Sequence, residues 1–269
     1  MVNTTYPELQ ETQAQSLPPA ELHILKTMRS DFCSDSKKKD YKLQPQQRFL
    51  RRILSPDSTT QNLLMVHGTG TGKTCTAIQI AEEYVIRPEF QNKKVLMLAN
   101  PAVQDNFKNE IFSVSDDKLY QDPEGLLLSK QCTGRRYLEM IQRAQSEPLR
   151  LTDATVRERV RRMANSLLSE FYEFQGYDSF ANYVNRGVEG KTQNDINKWI
   201  HDTFDNRLII VDEAHNLRVT TETTSTAKIS AKAIESIVKQ AKGVTLVLLT
   251  ATPMFDDYDE IIYYFNLFL

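Results

Sequence analysis

Eight residues set the first chemical question: His67-Gly68-Thr69-Gly70-Thr71-Gly72-Lys73-Thr74. Glycines let consecutive backbone N–H groups turn inward onto phosphate oxygens, and a helix opening behind them adds its positive N-terminal end. An apolar run, Leu63–Val66, precedes the loop, and a helical pattern over Thr74–Tyr84 follows it. That strand–loop–helix context is what makes a glycine motif a phosphate site. Lys73 is then a point charge for the β- and γ-phosphates, and the Thr74 hydroxyl is placed for Mg²⁺. Gly68, Gly70, Thr71, Gly72 and the helix's first turn, Lys73-Thr74-Cys75, are the candidate cofactor-binding residues. The bland reading, a glycine-rich turn followed by an accidental Lys-Thr, accounts poorly for the strand before and the helix after. One departure from GxxxxGK[ST] is His67 at the first glycine position.

A second constellation closes another apolar run: Leu208-Ile209-Ile210-Val211-Asp212-Glu213-Ala214-His215. Asp212 is the candidate metal ligand alongside Thr74, and Glu213 the candidate proton acceptor for an attacking water. Phosphoryl transfer rests mostly on positioning and charge stabilisation, so a lysine, a metal and one base carry most of it. Lys73, Asp212 and Glu213 are therefore the catalytic candidates. His215 reads either as a hydrogen-bonding residue at a helix start or as a relay to the Thr250-Ala251-Thr252 turn.

These residues need a scaffold that brings distant turns together. Leu63–Val66, Val95–Ala99, Leu208–Val211 and Val244–Leu249 are short, unbroken apolar runs, each ending in a polar or glycine-rich turn. Such runs suit parallel strands buried on both faces. Helical patterns between them, including Ala231–Ala241, predict a layered α/β fold with right-handed crossovers, whose ligands sit at the carboxyl ends of the strands. Residues 1–40 read as an N-terminal lead-in, rich in Gln, Thr and Pro over its first half, with Lys37, Lys38 and Lys39 in a solvated loop. From Leu43, LQPQQRFLRRIL predicts a helix with Pro45 in its first turn. Between about 115 and 205 the pattern is mostly helical and reads as an insertion beside the sheet. Val156, Val160, Met163, Leu167 and Phe171 fall on one face there, against Arg157, Arg159, Arg161 and Arg162 on the other. Tyr172–Gln175 reads as a return to the sheet.

Composition bounds the rest. The chain has 269 residues, 33 Lys and Arg against 35 Asp and Glu, and a net charge of −2. No global basic field advertises nucleic acid, although a local groove suffices for a motor that tracks a strand. Three widely spaced cysteines, Cys33, Cys75 and Cys132, suggest neither a CxxC pair nor a disulfide framework, and point to a reducing compartment. The four histidines lack metal-ligand spacing. With no run of roughly 18 apolar residues and a polar N-terminus, the expectation is a soluble intracellular protein without a membrane span.

With both motifs in place, the chain resembles the first lobe of superfamily 2 helicases and translocases. Leu43-Gln44-Pro45-Gln46-Gln47 looks like that family's adenine-reading motif, with Gln47 offering the amide. Asn100-Pro101 and Asn106–Glu110 are similar to motif Ia, which implies nucleic-acid contacts from Asn100, Pro101 and Lys108, with Gln175–Phe180 as a candidate motif Ib. Leu249–Met254 resembles motif III, so that His215, Thr250 and Thr252 would couple hydrolysis to lobe movement. HGTGTGKT, FYEFQGYDSFANYV, NRLIIVDEAHNLR and LLTATPM resemble helicase-like ATPases of large nucleocytoplasmic DNA viruses, of the poxvirus early transcription factor small subunit and nucleoside triphosphatase I type. Tyr258–Leu269 looks like the segment after motif III in Swi/Snf-type remodellers.

The resemblance implies a P-loop, RecA-like three-layer fold over 41–269. It implies a DEAH-box-type ATP hydrolase, helicase or translocase, that uses ATP and Mg²⁺. DNA is favoured over RNA as its nucleic acid, with RNA polymerase or other transcription machinery as a partner, in the host cytoplasm or the virion. It also implies that the second RecA-like lobe, with its arginine finger, is absent from this chain, so that the isolated lobe should hydrolyse ATP hardly at all; such an arginine is worth about 10³–10⁵ in rate. Two other readings stay open: the motor subunit of a restriction enzyme, and a nucleotide-switched interaction module.

Overall fold

The computed structural model describes residues 43–68, 70–90, 92–116, 118–121, 127–144, 153–217, 225–254 and 259–268. The lead-in with Lys37–Lys39 and Cys33, and Thr69 of the glycine loop, lie outside the described residues. In chain order the elements are α1 (Pro45–Ile53), β1 (Asn62–Val66), α2 (Lys73–Val85), β2 (Val95–Leu98), α3 (Pro101–Ile111), β3 (Leu119–Gln121), β4 (Leu127–Ser129) and α4 (Arg136–Arg143). They continue as α5 (Ala154–Phe171), β5 (Tyr172–Gln175), α6 (Tyr177–Val188), α7 (Gln193–Phe204), β6 (Leu208–Asp212), α8 (Ser225–Gln240), β7 (Thr245–Thr250) and α9 (Asp259–Phe268).

The apolar runs pair as one parallel sheet in the order β1-β7-β6-β2-β5. Every residue of β2, β6 and β7 is buried, as their unbroken hydrophobicity requires. Alternate strand residues feed two cores. Leu208, Ile210, Val247 and Leu249 face the layer of α1 to α5, while Ile209, Val211, Leu246 and Leu248 face the layer of α6 to α9. The result is the expected three-layer α/β fold. β1 is less buried than its sequence suggests, because it borders the described sheet, and Val66 is 47% exposed.

The segment from 115 to 205 is knitted into this sheet. It holds the antiparallel hairpin β3–β4, then α4 and α5, and then β5, which pairs in parallel with β2 from Val95↔Tyr172 to Leu98↔Gln175. Its α6 and α7 bury Phe180 and Phe204 in the second core. On α5 the deepest residues are Val160, Ala164 and Leu168; Val156, Met163, Leu167 and Phe171 pack beside them. Arg159, Arg161 and Arg162 are exposed, and Arg157 pairs with Asp116.

The cysteine reading needs correction. Cys75, in the first turn of α2, is disulfide-bonded to Cys132, 57 residues later. Their spacing says nothing of this, because the pairing depends on where the chain after β4 returns. That return is set by the Cys132 N–H donating to the Glu110 carbonyl at 3.1 Å and by Gln79 donating to the Cys132 carbonyl. One turn further along α2, buried Glu82 accepts hydrogen bonds from Tyr137, Tyr172 and Arg136. Burial and the Glu82 charge hold both phenols well above their ordinary pKa, so both remain donors.

Candidate nucleotide site

Strand register sets which turns meet. Val66 lies opposite Thr250, Asp212 opposite Leu249, and Leu98 opposite both Val211 and Gln175. The carboxyl ends of all five strands are therefore level, and the turns that leave them share one edge. The His67 N–H donates to the Thr250 carbonyl at 3.1 Å, which ties the entry of the glycine loop to the end of β7.

Gly70 and Gly72 have φ of 78° and 86°, the left-handed region that a side chain resists. Gly72 is constrained twice, since a Cβ there would stand 2.9 Å from Gln47 Nε2. The Thr71 hydroxyl donates to the Gly68 carbonyl at 2.8 Å across the loop. The helix then starts at Lys73, with the Thr76 N–H and hydroxyl both donating to the Gly72 carbonyl at 3.0 Å. Lys73 Nζ lies 3.0 Å from Asp212 Oδ1 and 3.2 Å from Glu213 Oε1. Burial pulls its pKa down, but the hydrogen bonds and charges of Asp212 and then Glu213 outweigh this, so it stands above the ordinary lysine value. Thr74 and Cys75 are half-buried beside it, and with its sulfur in the disulfide Cys75 offers only its backbone to a phosphate.

Asp212 is 4% exposed, and its Oδ1 also accepts the Glu213 N–H at 2.9 Å. Glu213 has φ 53°, rare for a residue with a side chain. His215 Nδ1 lies 3.2 Å from Glu213 Oε2 and 3.3 Å from Thr250 Oγ1, and that hydroxyl oxygen in turn accepts the Thr252 N–H at 3.1 Å. His215 thus touches both the acidic turn and the turn after β7.

Other expected residues are placed less simply. Gln47 is buried: its Oε1 accepts the Gln44 N–H at 2.9 Å, and its Nε2 donates to the Gly72 carbonyl at 3.4 Å. Here its amide is engaged with the glycine loop, and reading an adenine edge would require exchanging those bonds. Asn100 and Pro101 are exposed at the start of α3 on the site's edge. Lys108 is two turns down that helix, about 10 Å away by helical rise. It pairs with Asp105 at 3.2 Å and sits 5.2 Å over the Phe174 ring, on the wall of a cleft of about 700 Å³ between α3 and α5. Lys108 is therefore not grouped with Asn100 and Pro101. Tyr177 carries no motif signal of its own in the sequence. It lies within the Gln175–Phe180 stretch, and its hydroxyl donates to the Asp212 carbonyl.

Comparison with known proteins gives a consistent picture. The family model for the type III restriction enzyme, res subunit, matches residues 40–255. Two proteins of Acanthamoeba polyphaga mimivirus, both named as ATP-dependent RNA helicases, are similar. One is 28% identical over 90% of this chain and 20% of its own length, the other 30% identical over 93% of this chain and 35% of its own. A protein of Invertebrate iridescent virus 3, named as a helicase, is 30% identical over 83% of this chain and 20% of its own length. The chain thus spans between a fifth and about a third of these relatives.

Proposed function

Because the chain belongs to the helicase-like family of the type III restriction enzyme res subunit, and resembles helicase-like ATPases of large DNA viruses, we propose that it is the ATP-binding lobe of a nucleic-acid-dependent ATP hydrolase. The observation that carries this is the convergence of Lys73 Nζ on Asp212 and Glu213, at 3.0 and 3.2 Å, beside a glycine loop at the level ends of parallel strands. In the nucleotide-bound protein, Lys73 exchanges its carboxylate partners for the β- and γ-phosphates. The backbone N–H groups of Gly68 and of Gly70 to Cys75 cradle the phosphates. The donors present fit Mg²⁺, a hard cation that takes oxygen ligands: the Thr74 hydroxyl and the Asp212 carboxylate would hold it. Bound there, the ion supplies charge neutralisation on the phosphate oxygens. Glu213 orients the attacking water and accepts its proton, and His215 links Glu213 to the Thr250–Thr252 turn.

In the full-length protein, Lys73→Ala should weaken nucleotide binding by about 10–100-fold, the worth of one charge-assisted hydrogen bond. Glu213→Gln should bind ATP normally while turnover falls by about 10²–10⁴-fold. Equilibrium nucleotide binding and ATP hydrolysis measure the two separately, and normal turnover by Glu213→Gln would move the base elsewhere. Stimulation by double-stranded DNA, single-stranded DNA and RNA, compared side by side, tests the substrate. DNA is the reading we favour, with Asn100 and Pro101 as backbone contacts, in the service of viral transcription.

A further inference from the structure

Tyr177 opens α6 just beyond the end of β5, and its phenol reaches across to the acidic turn. The hydroxyl donates to the Asp212 carbonyl, and the Glu213 carbonyl oxygen lies 3.3 Å from it. Those carbonyls belong to the two peptide planes on either side of Glu213, so a single hydroxyl grips both planes that define its φ and ψ. Glu213 is one of two non-glycine residues with positive φ among the described residues. Such a conformation persists only where its surroundings over-determine it, and it clusters at functional sites. Tyr177 is itself anchored, because buried Ser230 on α8 donates its hydroxyl to the Tyr177 carbonyl at 3.0 Å.

Resting on the hydrolase reading above, we propose that Tyr177 is a positioning residue that holds the Glu213 carboxylate in register with Lys73 and the attacking water. Without the phenol oxygen, the Glu213 backbone is free to relax toward ordinary negative φ, which swings its carboxylate away from Lys73 and His215. Misplacement by about 1 Å is enough to cost on the order of 10²-fold in rate.

Tyr177→Phe in the full-length protein removes only the oxygen. The expected result is a kcat lower by about 10-fold or more, with the KM for ATP and the equilibrium nucleotide affinity within about twofold of wild type. The deciding measurement is a double-mutant cycle under single-turnover conditions. In a Glu213→Gln background, Tyr177→Phe should have no further effect, because there is no base left to position. If Tyr177→Phe lowers the Glu213→Gln rate by the same factor as it lowers wild type, or leaves wild-type turnover unchanged, the proposal is overturned. Should Tyr177→Phe fail to fold, Ser230→Ala loosens the same anchor and must show the same dependence on Glu213. A wild-type protein with no ATP turnover sinks the hydrolase reading and this proposal with it; an active wild type with an unaffected variant sinks the proposal alone.

Discussion

Lys73 stands between two carboxylates in this structure, an ammonium whose partners are the residues assigned to metal and water. Its folded-state pKa is raised above 10.5 despite burial, so the pairing adds stability that is fully present below that value. The contribution is lost as pH climbs through the raised value. The stability difference between wild type and Lys73→Met should therefore be constant up to about pH 10 and shift against wild type above it. Denaturant titrations of the two proteins across the alkaline range check this. At this scale the glycine loop and the acidic pair were legible as types and spacing, since phosphate chemistry demands a small set of residues in fixed order. Gln47 was named only through the family resemblance, as an adenine-reading amide, and its burial against Gly72 was not legible. That contact depends on how α1 docks on α2, which no local pattern records.

Helix α2 carries the site's lysine and is held along its length. Its first turn is tied by the Cys75–Cys132 disulfide, and its middle by Gln79 donating to the Cys132 carbonyl and by Glu82 accepting from Tyr137, Tyr172 and Arg136. A cross-link closing a 57-residue loop restricts the unfolded chain by about 4 kcal/mol in the chain-entropy account. Reduction, or Cys132→Ser, should therefore lower unfolding stability by about 2–4 kcal/mol. Denaturation with and without reductant measures it, and Cys132→Ser should abolish the difference. The runs that became β1, β2, β6 and β7 were readable to within a residue or so at each end, because a strand buried on both faces has no choice but continuous hydrophobicity. The helical patterns around Thr74–Tyr84 and Ala231–Ala241 were equally plain. The role of 115–205 was less so: its helices announce themselves by their apolar faces, while the pairing of β5 with β2 is a partnership between segments 77 residues apart, from Val95 to Tyr172.

For the whole molecule, binding of nucleotide to the folded state alone should raise stability by about 2.7 kcal/mol at a hundredfold excess over Kd. Thermal unfolding of the protein with and without ATP and Mg²⁺ should show that rise in wild type and only about 0.4–1.4 kcal/mol in Lys73→Ala at the same concentration, given its 10–100-fold weaker binding. The net charge of −2 gave no hint of a strand-binding partner. The described site edge bears Asn100 and Pro101, with Lys108 already paired some way below. The three-layer α/β class and the family are legible along the chain, because buried parallel strands and phosphate loops each impose an order of residue types that reads locally. Folding adds that the five strand ends lie level, that Tyr177 reaches the peptide planes beside Glu213, and that Cys75 meets Cys132. Each of these depends on crossovers and register, which bring together groups with no fixed separation along the chain.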